Sequence, residues 1–329
     1  MKAGTITLGI LSDIHYAGPP EQARGDDYEY RAIPNLLARS LVHLHRRFFW
    51  LRNPLHQGYL LDRFLGQVGP LDYLVAGGDY SCNSGFIGLA DPAAFASAGE
   101  CLKKLRAQFA DRLLPIIGDH ELGKFSFVGK QGGMRLASWS RAVDDLGLPP
   151  IWSKNLGRYT LIGITSSLVA LPLLEADVLP AELDAWRNLR ETHLHQIREL
   201  FASIPSTQKI LLFCHDPSAL PFLWREPSVQ QKLPQIERTI IGHLHSPLIL
   251  WQSKLLAGMP VIRFLGHTAK KLSSALREAK WWKPFNVILC PALAGIQLLN
   301  DGGYYTLNLD PSANSPAQFT FHPLPRDKD

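Results

Sequence analysis

An α/β fold is predicted for this chain by three observations. Five short apolar runs of strand character, at 5–11, 71–77, 113–117, 210–214 and 238–241, each stop at an Asp or a His. Helical patterns lie between and after them, with Phe95, Cys101, Leu102, Leu105 and Phe109 on one face of 92–110 and Leu183, Trp186, Leu189, Ile197 and Leu200 on one face of 182–201. The chain has 329 residues and is 46% hydrophobic, enough to bury a full core. Buried strands that deliver polar side chains at their carboxyl ends are how open α/β sheets build sites.

The polar ends are Asp13-Ile14-His15, Gly78-Asp79, Gly118-Asp119-His120-Glu121, His215-Asp216 and Gly242-His243-Leu244-His245. The Asp-x-His and His-x-His spacings put two side chains on one face of an extended segment. Carboxylates and imidazoles together suit Mn, Fe, Zn or Mg and need no thiolate. Two such ions about 3.5–4 Å apart can share a carboxylate, clamp a phosphoryl group and activate a shared water. Phosphoester hydrolysis is the chemistry this donor set points to.

Because these ends span Asp13 to His245, no cut between them leaves a complete set, and one domain over 1–329 is expected. Further strand-like runs at 261–264, 286–290, 304–309 and 318–321, within 259–324, are expected to complete a second sheet. Cys82, Cys101, Cys214 and Cys290 form no close pair and read as reduced structural thiols of a cytosolic protein. The only apolar N-terminal stretch, 3–11, runs into Asp13 and would remove that residue if cleaved as a signal, so none is expected. No uninterrupted apolar run is long enough for a spanning helix, leaving a cytoplasmic or peripheral protein.

Between His15 and Asp79 the chain is longer than one crossover helix needs, and a helical insertion at about 17–54 is read there. It holds an acidic loop, Asp26-Asp27-Tyr28-Glu29, and a helix over 33–51 with Pro34 in its first turn and Pro54 beyond its end. A second helix, 56–67, fits the ordinary crossover. The inserted helix carries Ile33, Leu36, Leu37, Leu41, Leu44, Phe48, Phe49, Trp50 and Leu51, more than one core-facing stripe uses. Arg31, Arg39, Arg46, Arg47 and Arg52 accompany them without an acid, matching the chain's whole net charge of +5. Either the helix packs on the core with its arginines snorkelling, or it meets an anionic membrane and covers a lipid substrate through Phe48, Phe49, Trp50, Arg46 and Arg47.

Smaller signals follow along the chain. Asn83 can reach a phosphate from the loop after Asp79, and Lys124, Lys130 and Arg135 sit on a Gly-containing loop suited to phosphate. His193 and His195 read as surface residues of their helix. The stretch 270–285 sets Trp281 and Trp282 among Lys270, Lys271, Arg277, Lys280 and Lys283, a pattern for lipid headgroups or for nucleic acid.

The ordered series Asp-x-His, Gly-Asp, Gly-Asp-His-Glu, His and Gly-His-x-His, over 13–245, is similar to the calcineurin-like metallophosphoesterases. The resemblance implies a four-layer αββα sandwich of two mixed sheets flanked by helices. It implies one metal held by Asp13, His15 and His245, a second by Asp119, His215 and His243, and Asp79 bridging them. It gives His120 contact with the substrate phosphate and protonation of the leaving oxygen, and Glu121 an orienting role. Manganese is the leading choice for both divalent ions, with Fe, Zn or Mg open. The family usually has Asn where this chain has Asp119. Three ligand carboxylates then leave about +1 on the site rather than about +2, which favours metal retention over phosphate attraction.

Within the family, the enzymes that split UDP-2,3-diacylglucosamine into lipid X and UMP also carry an apolar helical cover and basic residues beside the metals. This chain resembles them in part, and the His at 120 turns the comparison to the variant enzymes of that step in chlamydia-like bacteria. The expected partners are then a lipid-linked nucleotide sugar or other phosphodiester and an anionic membrane, at the inner face. Nucleic acid ranks lower, and no obligate protein partner is evident. A soluble phosphodiesterase or nuclease, with a groove along Lys124, Lys130 and 270–283, is the alternative; a metal-binding scaffold without turnover is a third.

Overall fold

Leucine- and isoleucine-rich runs form two five-stranded sheets in the structure, a computed structural model that describes residues 4–126, 131–264 and 267–327. In the first sheet β1 (Ile6–Leu11), β2 (Tyr73–Ala76) and β3 (Leu113–Pro115) are parallel. In the second, β4 (Ile151–Leu156) runs antiparallel to β5 (Tyr159–Ile164), which continues in parallel through β6 (Lys209–Cys214), β7 (Ile236–Ile241) and β8 (Val287–Leu289). The antiparallel strands β9 (Gly303–Leu309) and β10 (Gln318–Pro323) complete the first sheet in the order β10-β9-β1-β2-β3.

Period-two alternation decides which side chains meet. Leu8, Ile10 and Val75 of the first sheet pack against Leu161, Leu211, Phe213 and Ile240 of the second, and this is the central apolar layer. The outer face of the first sheet covers Leu60 and Phe64 of the helix Tyr59–Gln67 and Leu102 and Leu105 of the helix Pro92–Phe109. The outer face of the second covers Leu194, Ile197 and Phe201 of the helix Leu183–Ser203. The result is helix, sheet, sheet, helix. Truncating a buried side chain such as Phe213 to Ala costs about 3–5 kcal/mol in such a layer.

The second sheet is not completed as the C-terminal pattern suggests. Of the four runs there, only 286–290 joins it, as β8; residues 261–264 form no strand, and β9 and β10 extend the first sheet beside β1. Strand propensity says that a segment pairs and says nothing of which edge it finds. The edge strand β4 has no counterpart in the sequence reading, because its half-exposed residues around Lys154 give a weak apolar signal.

The inserted helix runs from Leu36 to Phe48, capped by Asn35, whose Oδ1 accepts the Ala38 N–H at 3.0 Å. None of its residues is buried, and Leu36 and Leu37 are each 72% exposed and Phe48 62%. The packed-on-core reading of this helix is therefore overturned. Its attachment comes after its end, where Leu51 enters the core and the Phe49 and Trp50 carbonyls accept the N–H groups of Leu298 and Gln297. The arginines divide. Arg31 pairs with Asp27, Arg46 with Glu29, and Arg39 donates to the carbonyls of Ile33 and Arg31; Arg47 and Arg52 are exposed. Among the described residues no helix is long and apolar enough to cross a membrane.

His193 corrects another expectation, since it is 2% exposed inside the second sheet's outer layer. The helical pattern hid it because an imidazole on the inner stripe looks like any polar residue. Burial pushes its pKa down to about 4, so the folded protein holds it neutral while the unfolded chain protonates it near 6.5. Its contribution to stability is complete above about pH 6.5 and is lost as pH falls toward 4. His193→Leu is expected to flatten the urea-stability profile across that window relative to the parent; parallel profiles would exclude a buried neutral imidazole.

Candidate metal centre

The carboxyl ends of β1, β2, β3, β6 and β7 bring Asp13, His15, Asp79, Asp119, His215, His243 and His245 together. Donor atoms of Asp13, His15 and His245 lie within 4.8 Å of one another, as do those of Asp119, His215 and His243. Asp79 joins the two groups, sharing one such cluster with Asp13 and His215 and another with His15 and His120. Convergence does not use the extended geometry that the spacing suggests. Asp13, His15, Asp79, His243 and His245 all have positive φ, between 49° and 61°. Non-glycine residues rarely adopt this region, and a cluster of them marks a backbone bent by its surroundings to aim side chains. Gly78 and Gly118 allow the β2 and β3 loops to touch, since a Cβ on Gly78 would meet Gly118 Cα at 2.7 Å.

Backbone and carboxylate partners orient each donor. The Asp13 carboxylate accepts the His243 N–H at 3.1 Å, and Asp79 Oδ1 accepts the His120 N–H at 2.9 Å. His215 donates Nδ1–H to the Gly77 carbonyl at 2.8 Å, which turns its Nε2 lone pair inward. Asp216, a neighbour of His215 in sequence, lies 3.8 Å from His243 Nε2 through Oδ2, while Nδ1 of that ring faces Asp119, and Asp216 lines the same cavity. Sequence reasoning did not assign Asp216 a role; its adjacency to His215 was the available signal.

These residues fit divalent cations. Asp13, Asp79 and Asp119 are all buried, and such a concentration of negative charge demands positive charge. Against its burial, the Asp79 and Asp13 carboxylates raise the His215 imidazole well above its ordinary range, a measure of the pull this cluster exerts on positive charge. The buried His15 Nε2 and Asp79 Oδ2 have no hydrogen-bond partner. Hard oxygen and imidazole donors suit Mn, Fe, Zn or Mg.

His120 stands beside this cluster, with its ring 4.6 Å from that of His15 and Nε2 3.7 Å from Asp79 Oδ2. Its Nδ1–H donates to the Ser81 carbonyl at 3.1 Å. Burial pushes its pKa down to about 3, so the imidazole is neutral and offers an Nε2 lone pair to the site. Glu121 points away from the open space and accepts three backbone N–H groups, from Gly118, Asp79 and Tyr80, at 2.8–2.9 Å. Burial and then Asp79 push its pKa up, to about 8, while three donors aimed at both oxygens favour the carboxylate. It is a positioning residue that ties the β2 loop to the β3 loop.

A cavity of about 780 Å³ opens over the cluster and is lined by His15, Asn83, Asp119, His120, Lys124, His243 and His245. Asn83 Oδ1 accepts the Gly88 N–H, and its Nδ2 is buried without a partner. Lys124 Nζ lies 2.9 Å from Asp119 Oδ2. From the insertion, Arg46 and Trp50 line the cavity, with the Trp50 ring 5.0 Å from that of His245. Phe48, Phe49 and Arg47 do not line it; Arg47 and Phe48 are exposed at the end of the helix and Phe49, its C-cap, is half-buried. Lys130 lies outside the described residues. The 270–285 stretch is not one exposed basic and aromatic face: Trp282 is buried, Trp281 stacks on Trp224 at 3.8 Å, and Lys271 pairs with Asp177.

Two mixed sheets with an Asp and His centre at their carboxyl edges define a class, the metal-dependent phosphoesterases. The model of the calcineurin-like phosphoesterase family matches residues 6–247, and the chain belongs to that family, whose members are hydrolases of phosphoester bonds. Among solved structures it is similar to GAP50, the anchor in the inner membrane complex of Plasmodium, at 11% identity and a TM-score of 0.39, over 99% of this chain and 90% of that one. No match is found among curated proteins.

Glu121→Ala leaves three buried N–H groups without an acceptor and is expected to destabilise the protein by about 3 kcal/mol or more in urea unfolding. It should also weaken Mn binding through the displaced Asp79 and Asp119 loops. A loss below about 1 kcal/mol with metal binding intact would rule out this tie between the loops.

Proposed function

We propose that this metal-dependent phosphoesterase cleaves a phosphodiester or pyrophosphate bond in a lipid-linked substrate at an anionic membrane surface. The substrate that fits best is UDP-2,3-diacylglucosamine, hydrolysed to lipid X and UMP. The carrying observation is the cavity, which joins polar and apolar chemistry in one space. Its floor holds the metal cluster with Asn83, His120 and Lys124; its walls include Leu41, Val42, Trp50 and Leu51 on one side and Leu173, Leu272, Leu276 and Trp282 on another. A small phosphodiester has no use for such walls, whereas each acyl CH₂ taken from water there gains about 0.8 kcal/mol.

When bound, the two divalent ions, manganese by preference, supply Lewis acidity to the phosphoryl oxygens and activate water for in-line attack. Water adds at phosphorus, the P–O bond to the leaving phosphate breaks, and two monophosphates leave. The neutral His120, its Nδ1 fixed on Ser81, takes a proton at Nε2 from solvent water in the cavity and passes it to the leaving oxygen. Asn83 Nδ2 and the Lys124 ammonium are donors for non-bridging phosphate oxygens.

The exposed helix Leu36–Phe48 supports the membrane part of this reading. Its Leu36, Leu37, Leu44 and Phe48 are large exposed hydrophobics, and Trp251 and Leu255 of the helix Pro247–Leu255, with Phe264 beyond it, are exposed as well. Arg47 and Arg52 add positive charge, each worth about 1 kcal/mol near an anionic surface.

Three measurements test the proposal. His120→Ala should lower kcat by roughly 10²–10⁴-fold with two Mn ions still bound; near-full turnover on a poor leaving group removes its role. Leu41→Ser with Leu272→Ser should raise KM for the diacylated substrate about tenfold or more, while bis-p-nitrophenyl phosphate, too small to reach those walls, serves as the control. Arg47→Glu with Arg52→Glu should reduce sedimentation with anionic but not neutral vesicles, and added salt should mimic it. Parent-like behaviour of these last two variants, on acylated substrate and on vesicles, leaves a soluble phosphodiesterase as the better reading.

A further inference from the structure

Asp119 divides its two oxygens between different partners. Oδ1 faces the metal cluster, 3.0 Å from both His215 Nε2 and His243 Nδ1. Oδ2 faces Lys124, whose Nζ lies 2.9 Å away. The ammonium is held there by the backbone: Gly123, with φ of 95° and a Cβ position 2.5 Å from the Gly133 carbonyl oxygen, reverses the chain after the short helix Asp119–Leu122, and the Lys124 N–H donates to the Phe86 carbonyl at 3.0 Å. The Lys124 side chain is 32% exposed and lines the cavity, so it borders both the ligand oxygen and the substrate space.

We propose that Lys124 is a built-in counter-ion for Asp119, so that the pair delivers an oxygen donor to the metals with no net charge. Three carboxylates against two divalent ions leave the site about +1, and the ammonium restores about +2. The extra carboxylate therefore does not weaken attraction for an anionic phosphate, as its charge alone would suggest. Lys124 also becomes a determinant of substrate affinity, because the same ammonium meets phosphate oxygens entering the cavity. A cation beside the cluster repels the metals as it attracts the substrate, and those opposite effects separate this role from a structural one.

The inference rests on the two-metal reading, so Mn(II) titration of the metal-free parent comes first. Lys124→Met is expected to tighten Mn binding about tenfold and to raise KM for bis-p-nitrophenyl phosphate about tenfold, with a smaller change in kcat. Asp119→Asn leaves the ammonium uncompensated and should weaken Mn binding at least tenfold. The double variant removes both charges and should return Mn affinity to within about threefold of the parent, and Lys124→Arg, which keeps the charge, should keep the parent Mn affinity. Lys124→Gln replaces Lys124→Met if the latter does not fold, as judged by circular dichroism. Mn affinity that is unchanged or weaker in Lys124→Met, or a double variant as weak as Asp119→Asn, overturns the counter-ion role. A parent that binds fewer than two Mn ions overturns the two-metal reading and the pair with it.

Discussion

Everything at the carboxyl edge of the two sheets answers one electrostatic problem, the burial of Asp13, Asp79 and Asp119 within one cluster. Isolated buried carboxylates are costly, and only cations or dense hydrogen bonding make them tolerable. The structure supplies oriented N–H donors from His243 and His120, imidazoles from β6 and β7, and the Lys124 ammonium at the rim. It also accepts five left-handed residues, each strained, because only that backbone turns the donors toward one point. Such strain survives where a rigid frame enforces it. Here the frame is the layer between the sheets, with the Gly78 and Gly118 loops in contact and tied by Glu121.

The insertion works against the opposite background. Its helix spends nothing on the core, leaving Leu36, Leu37 and Phe48 in solvent, while just beyond it Trp50 packs beside His245 and Leu51 enters the core. A monomer rarely keeps such a surface without a partner. Because Leu41 and Val42 line the cavity, Leu41 while 60% exposed, the same helix borders both the space over the Asp and His cluster and the solvent. That double exposure links the chemistry of the floor to whatever the outer face meets.

Much of this was legible in the chain itself. Apolar runs of strand length that stop at Asp or His announce buried strands with a site at their ends, because period-two burial and costly polar groups leave no other arrangement. Their order was enough to identify the family, and the seven residues read as metal donors are the ones the fold brings together. The rest depended on contacts between residues distant in sequence. Local pattern could not say that β9 and β10 pair beside β1, since an edge accepts any strand of suitable register. It could not tell His193 inside from His195 outside, nor an exposed apolar helix from a buried one, because burial belongs to the packed whole. The division of Asp119 between its metals' side and Lys124 was beyond it too: which oxygen meets which charge is set by the turn at Gly123 and by loops arriving from β2, β6 and β7, a geometry that exists only after the sheets have closed.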